Sequence, residues 1–545
     1  MTLYTKLSIQ IMYKILVLLL SLNFSLLADS KKPNILFAFA DDWGRHASVY
    51  AEMDGPGTVN DVFKTTNFDL IAKSGVLFNN AYVNAPSCTP CRSSILSGQH
   101  FWRTGRGAIL QGAVWDESIP TWPLLLEKNG YHIGYTWKVW SPGSPKDAPF
   151  GGNRNAYSSA GVSFNGFSQT ATKLISKGMT VEEAKEELLK QVRENFLSML
   201  SKSKEGQPFA YWFGPTNVHR KWIKGSGMNL WGISADSLKG KLPPFLPDVH
   251  TVREDFSDYL GEVKGFDLAL GVLIEELKKV GLYDNTIIAI SGDHGPAGFP
   301  YGKCNLYDFG TRVSLALSGP GIIGNRVVND FVTLPDLAST FLESGNVEVP
   351  NVMTSKSLWP ILKSNKKGIV DESRDHVLTG RERHVARARR GQMPYPQRAI
   401  RTDKYLYIMN FKPDRYPLGD HYNLDTDKEA DVNQLTNNTF VTIPDEDAGP
   451  TKAWIVKNRK DPKYKKYFSR AYGKRPLEEL YDLKKDPYQM NNVARESGYE
   501  RVRKELNQKL FNLLNETKDP RLLNDGSFFE NPPMSGPVSG VKIKK

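Results

Sequence analysis

Three unbroken apolar runs constrain this chain most. "NILFAFADD" (34–42), "PFAYWFG" (208–214) and "NTIIAISGDHG" (285–295) are short, rich in aromatic and β-branched residues, and lack polar alternation. Runs of this kind are strands buried on both faces, the mark of a parallel sheet covered by helices. The intervening segments supply those helices. "TTNFDLIAKSG" has a helix start, helical apolar spacing and a glycine stop, and "TWPLLLEKNGY" leads through a further helix into the strand "HIGYTWK". "VEEAKEELLKQVRENFLSML" and "YLGEVKGFDLALGVLIEELKKVGL" are long amphipathic helices, and "VLFNNAYV" reads as one more strand. The alternation predicts an α/β fold with a mixed, mostly parallel sheet flanked by helices.

Ligands of such sheets bind beyond the carboxyl ends of the strands. Those ends carry Asp41, Asp42, Asp293 and His294. An isolated "DD" is ordinarily a turn cap. Two such groups, each closing a buried strand, instead assemble hard oxygen donors and one nitrogen around a divalent cation.

The texture changes near residue 385. "RAIRTDKYLYIMNF" reads as a hairpin and "RPLEELYDLKKDPYQMNNVA" as a strand and turn leading to a helix. This predicts a catalytic domain over 33–385 and a smaller C-terminal α+β domain over 386–520. Residues 521–545, rich in Gly, Pro, Ser and Lys, are expected to be a flexible tail. At the other end, Lys6 and Lys14 precede "ILVLLLSLNFSLLA", which ends at Ala28. A basic start, a short apolar run and a small residue make 1–28 a signal peptide; the run is too short for a comfortable membrane span, so no permanent anchor is expected. The chain is therefore expected to be exported, to a periplasm or the exterior, or to a lysosome in a eukaryote.

Export makes the thiol count informative. Cys88, Cys91 and Cys304 cannot build a disulfide framework, and Cys88-x-x-Cys91 has no second pair to complete a zinc site. The 71 Lys and Arg outnumber the 59 Asp and Glu, a net charge of +12. No basic-aromatic nucleic-acid module accompanies that charge, which suits a polyanionic glycan or an acidic envelope better.

"CTPCRSSILSG" (88–98) resembles the sulfatase signature, Cys-x-Pro-x-Arg followed by a short helix ending in Gly. "ADDWG" near the start, then "KVW", "GPTNVH", "SGDHG" and "KCNLYDFGTRVSL" occur in that family's order, and "RPLEELYDLKKDPYQMNNVA" is similar to its closing segment. The resemblance implies the alkaline-phosphatase-like α/β fold. It also implies that a formylglycine-generating maturation enzyme reads Pro90 and Arg92 and oxidises Cys88 to an aldehyde. The hydrated aldehyde then attacks sulfur with one hydroxyl and expels sulfate with the other. Asp41, Asp42, Asp293 and His294, with the modified Cys88, would bind a cation, Ca2+ first among them. Arg92, Lys138 and Lys303 would neutralise the sulfate oxygens, and His219 would protonate the leaving oxygen or nitrogen. Cys91 and Cys304 are left as packing residues.

Trp140 departs from the pattern. The family usually has a histidine there, and an indole cannot titrate, so this residue either shapes the substrate pocket or packs. "GRERH" and "YPQRAIRTDKYLYIMNFKPDRYP" resemble the branch that includes heparan N-sulfatase. By that resemblance Glu382, His384 and Arg398 would meet a sulfated sugar, with N-sulfoglucosamine at a chain end as the leading substrate. Two other readings stand beside it: a phosphodiesterase or phosphonate hydrolase of the same superfamily, and a glycan-binding protein that performs no chemistry.

Overall fold

The computed structural model describes residues 31–536, so the expected leader over 1–28 and the last nine residues of the expected tail lie outside it. Chain order gives β1 (Asn34–Ala40), β2 (Val76–Phe78), β3 (Ala81–Tyr82), β4 (His132–Trp137), β5 (Phe209–Gly214), β6 (Thr286–Gly292) and β7 (Leu315–Ser318). These are followed by β8 (Arg326–Val328), β9 (Val332–Thr333), β10 (His376–Arg381), β11 (Gln397–Thr402), β12 (Tyr405–Asn410) and β13 (Glu478–Asp482). Seven strands form one sheet in the order β4-β5-β1-β6-β7-β2-β8. It is parallel except for β7, which runs antiparallel to both of its neighbours, so the sheet is mixed and mostly parallel, as the sequence predicts.

The unbroken apolar runs have a direct cause. In β1, Ile35, Phe37 and Phe39 enter one core while Leu36, Ala38 and Ala40 enter the other. Both faces are covered, so no position is left for a polar residue. Helix Val181–Leu200 begins with a capping box between Thr180 and Glu183, and the second long helix runs from His250 to Lys279, with Val252 and Phe256 already on its buried side ahead of the expected start at Tyr259.

"VLFNNAYV" is not a single strand. It breaks at Asn79–Asn80 into β2, in the large sheet, and β3, which pairs with β9 in a separate two-stranded ladder. The predicted hairpin is β11–β12, within an antiparallel sheet of order β10-β11-β12-β13. That sheet begins at His376 and so takes its first strand from residues assigned by sequence to the catalytic domain. The expected tail is also partly ordered. Residues 521–536 pack back on the smaller sheet, with Phe529 and Met534 buried and Arg521 paired with Glu382. Scattered apolar side chains and one buried ion pair outweigh a composition that suggests disorder.

Candidate active site

Strand register assembles the site. β1 pairs with β6 in parallel, Asn34 opposite Thr286 through Ala40 opposite Gly292. Asp41–Asp42 therefore emerge beside Asp293–His294. Consecutive side chains on a strand point apart, but Asp42 adopts φ +56°, a left-handed conformation that aspartate tolerates, and the two carboxylates converge. On the other flank, Trp137 of β4 lies opposite Gly214 of β5, which places Lys138 beside the loop leading to His219. A Cβ on Gly214 would sit 2.0 Å from the Lys138 carbonyl oxygen, so only glycine permits that approach.

The signature is a ten-residue helix, Cys88–Ser97, ending at Gly98 in the left-handed region. Cys88 and Arg92 lie one turn apart on the same face. Arg92, fully buried, donates from Nε to Asp293 (3.1 Å) and from Nη2 to Asp41 (3.0 Å). Its Nη1 donates to the carbonyls of Lys138 and Val139. Every nitrogen is thus engaged by protein, so Arg92 orients the acids and the end of β4 and is not directed at an incoming sulfate. The Lys138 ammonium donates to both oxygens of Asp41 at 2.8 Å, and Lys303 donates to Asp42 at 3.1 Å. The backbone N–H of Cys304 donates to the Pro86 carbonyl at 2.8 Å, tying the Lys303 loop to the entry of the signature helix.

The donor set fits a hard divalent cation. Ligand atoms of Asp42, Cys88 and His294 lie within 4.8 Å of one another, as do those of Asp41, Cys88 and Asp293. His294 Nδ1 donates to the Gly295 carbonyl at 3.0 Å, which turns Nε2 toward the cluster, 3.5 Å from both Cys88 Sγ and Asp293 Oδ1.

The electrostatics follow from burial and neighbours. Burial opposes ionisation of Asp41, but Lys138 and Arg92 outweigh it and hold the carboxyl well below the ordinary range. Asp293 is pushed up, chiefly by burial. Burial also disfavours the charged form of Lys303, yet Asp42 outweighs it and raises the ammonium well above its ordinary value. The Cys88 thiol is raised by burial and by Asp41. As an unmodified thiol it is therefore a poor nucleophile.

His219 is the open side of the cluster. Its Nδ1 donates to the Arg220 carbonyl at 2.6 Å, its Nε2 lies 3.7 Å from Asp42, and its side chain is 30% exposed, so it can exchange protons with solvent. His384 is buried beside the same region, with Nδ1 2.7 Å from the hydroxyl of Ser87, the residue preceding Cys88. Burial pushes its imidazole down to about 3.

Two of the expected sugar-binding residues are elsewhere. Arg398, with no exposed surface, lies 3.0 Å from Glu382 and from Asp519, against the rings of Phe101 and Trp102. Glu382 is also held by Arg521. Both serve a buried ion network that fastens residues 519–521 to the smaller sheet, and neither reaches the cluster. Trp140 is a packing residue. Its indole N–H donates to Ser93 at 2.8 Å, and its ring meets Trp115 edge-on at 5.6 Å, bracing the inner side of the signature helix.

One residue escaped sequence reasoning. Asp447, partly buried, lies 3.6 Å from Lys303, whose ammonium outweighs desolvation and holds the carboxyl well below the ordinary range. The only signal was "PDED" (444–447), a run of acids in a basic chain.

The fold and this cluster define the class. The Sulfatase family profile matches residues 33–347, more than half of the chain, and the chain belongs to the sulfatase family. It is a hydrolase acting on sulfate esters or N-sulfates. N-sulphoglucosamine sulphohydrolase of Homo sapiens is 24% identical over 530 residues, spanning 91% of this chain and 92% of that protein. An ulvan-active sulfatase of Formosa agariphila is 26% identical over 404 residues, 69% of this chain and 72% of its own. Among solved structures, BT4656 in complex with its substrate D-glucosamine-2-N,6-O-disulfate matches with a TM-score of 0.57 at 19% identity, covering 90% of this chain and 99% of that one. The phosphonate monoester hydrolase of Agrobacterium radiobacter matches with a TM-score of 0.58 at 17% identity, covering 90% and 97%. These likenesses establish the alkaline-phosphatase-like fold.

Proposed function

We propose that the protein is an exported sulfatase that removes sulfate from a sulfated glycan, with N-sulfoglucosamine at the end of a heparan- or heparin-type chain as its leading substrate. The observation that carries this reading is one buried cluster holding Cys88, Lys138, Lys303, three aspartates and His294, with His219 at its open edge. The human relative that acts on N-sulphoglucosamine matches along almost its whole length, which supports the choice of sugar.

In this reading Cys88 is matured to formylglycine by a partner enzyme, which replaces a protonated thiol with an oxygen nucleophile able to release sulfate. Asp41, Asp42, Asp293 and His294 would hold a divalent cation, calcium for a site with three carboxylates, and when bound it supplies Lewis acidity to the nucleophile and the sulfate oxygens. Lys138 and Lys303 bring fixed positive charge to the place where charge accumulates. The N-terminus of the signature helix adds its partial positive charge at the same point. Arg92 holds Asp41 and Asp293 in position. His219 donates a proton from Nε2 to the departing nitrogen or oxygen, its other nitrogen being fixed by the Arg220 carbonyl. His384, set against Ser87, is a candidate contact for the sugar. Among the described residues no helix is long and apolar enough to cross a membrane.

The test is a substrate panel on protein isolated from its native host. Turnover of N-sulfoglucosamine well above that of O-sulfated glucosamine and of a phosphonate monoester is expected. Faster cleavage of the phosphonate would contradict the sulfatase reading, and exclusive cleavage of an O-sulfate would replace the sugar assignment.

A further inference from the structure

Adjacent antiparallel strands are ordinarily joined by two to five residues. β12 and β13 are such neighbours, Tyr405 opposite Asp482, yet the chain leaves the sheet for all of residues 411–477 between them. Excursions of this length in a folded domain usually carry function. The inner side of this one delivers Asp447 to Lys303, which places it on the rim of the candidate active site.

Its outer side has a different character. Residues 457–475 contain nine Lys and Arg and a single acid, Asp461. Asp425 and Glu429 neutralise three of the nine, Lys457, Arg459 and Lys460. Lys463, Lys466 and Arg470 form no ion pair among the described residues, and their spacing of three and four lines them along one side of helix Lys465–Tyr472 and the turn before it. Like charges one turn apart repel, and this ridge has no internal compensation. The helix's other side is spoken for: Ala471 and Tyr472 are buried, and Phe468 packs, in the cluster that contains Cys304, the neighbour of Lys303.

We propose that the ridge Lys463–Lys466–Arg470 is a second binding surface that holds the flanking, still-sulfated stretch of an anionic polysaccharide whose end group occupies the candidate active site. The choice of polyanion rests on the function proposed above; the surface itself rests on charge and placement. A membrane-surface helix would keep an apolar face free to enter lipid, and here that face is buried in the core.

The experiment compares the full-length protein with a Lys463→Gln/Lys466→Gln/Arg470→Gln variant on immobilised heparin-type polysaccharide, on double-stranded DNA and on a neutral dextran. Wild type is expected to require more salt for elution from the sulfated polymer than from DNA, with no retention on dextran. The variant is expected to elute from the sulfated polymer at markedly lower salt, since each lost contact releases fewer counterions. Its kcat/KM on the chain should fall by about tenfold through KM while turnover of a monosaccharide sulfate stays within about twofold. Elution of the variant at wild-type salt would overturn the proposal, as would equal or stronger retention of wild type on DNA. Retention needs no turnover, so a protein that proves inactive on sulfates can still pass or fail this test. An unchanged melting midpoint identifies a folded variant, and Lys466→Gln alone, at an exposed position, serves if the triple variant does not fold.

Discussion

His219 and His384 are both imidazoles at the candidate site, and their surroundings assign them different work. His219 is partly exposed, with one nitrogen fixed by a carbonyl and the other directed into the cluster; His384 is buried and held neutral. Only the first is placed to deliver a proton taken from water. Replacement of His219 by Ala is expected to lower kcat on an N-sulfated sugar by about 10²- to 10⁴-fold, the usual worth of general acid catalysis. On a nitrophenyl sulfate, whose leaving phenolate needs no proton, the loss should be far smaller. Equal losses on both substrates, measured by steady-state kinetics, would remove His219 from the proton-donor role. The family motifs "KVW", "GPTNVH" and "KCNLYDFGTRVSL" were sufficient to nominate Lys138, His219 and Lys303, because each lies inside one of them. It failed for Glu382 and Arg398. Their partners, Asp519 and Arg521, are more than a hundred residues away, and no local pattern distinguishes a buried ion network from a sugar subsite. Asp447 was missed for the complementary reason: it reaches Lys303 from an excursion with no strand or helix pattern pointing toward the sheet.

The long helix His250–Lys279 shows what element-scale reading captures and omits. Its amphipathic spacing was plain, but the carboxylates on its buried side were not. Burial raises Glu262 to about 7, against an ordinary value of 4.5, although it accepts hydrogen bonds from the Ser168 backbone and from Asn217. Asp258 is raised to about 7 and Asp267 to about 6 on the same helix, again chiefly by burial. A carboxyl with its folded value above its unfolded one contributes stability that is complete below the unfolded value and is lost as pH rises through the folded one. Wild-type stability attributable to Glu262 should therefore decline between about pH 5 and pH 8. Glu262→Gln keeps the shape and cannot ionise. Urea unfolding is expected to show the variant more stable than wild type by about 2 kcal/mol at pH 8 and nearly equal at pH 5. A constant difference across that range would mean that the folded and unfolded chains bind the same number of protons there, so that Glu262 is not raised by folding. Strand identity was equally legible where both faces are buried, as in β1, β5 and β6. It was not legible for β7 to β9, which are two to four residues long and too short to show any period.

At the scale of the molecule, two sheets divide the work. The seven-stranded sheet sets the register that brings Asp41 and Asp42 to Asp293 and His294. The four-stranded sheet anchors residues 519–536 on one side and, through the excursion between β12 and β13, builds the rim of the site on the other. These parts meet at Cys88, the first residue of the signature helix, whose thiol is buried and pushed up by burial and by Asp41; the function proposed above gives it a chemical role through oxidation to formylglycine. The measurement that tests this most directly is the intact mass of the proteolytic peptide spanning Cys88, taken from protein made in its native host. The expected result is the mass deficit of a thiol converted to an aldehyde, present in active preparations and absent from a Cys88→Ala variant that has lost sulfate hydrolysis. An unmodified thiol in a preparation that still hydrolyses sulfate would contradict it.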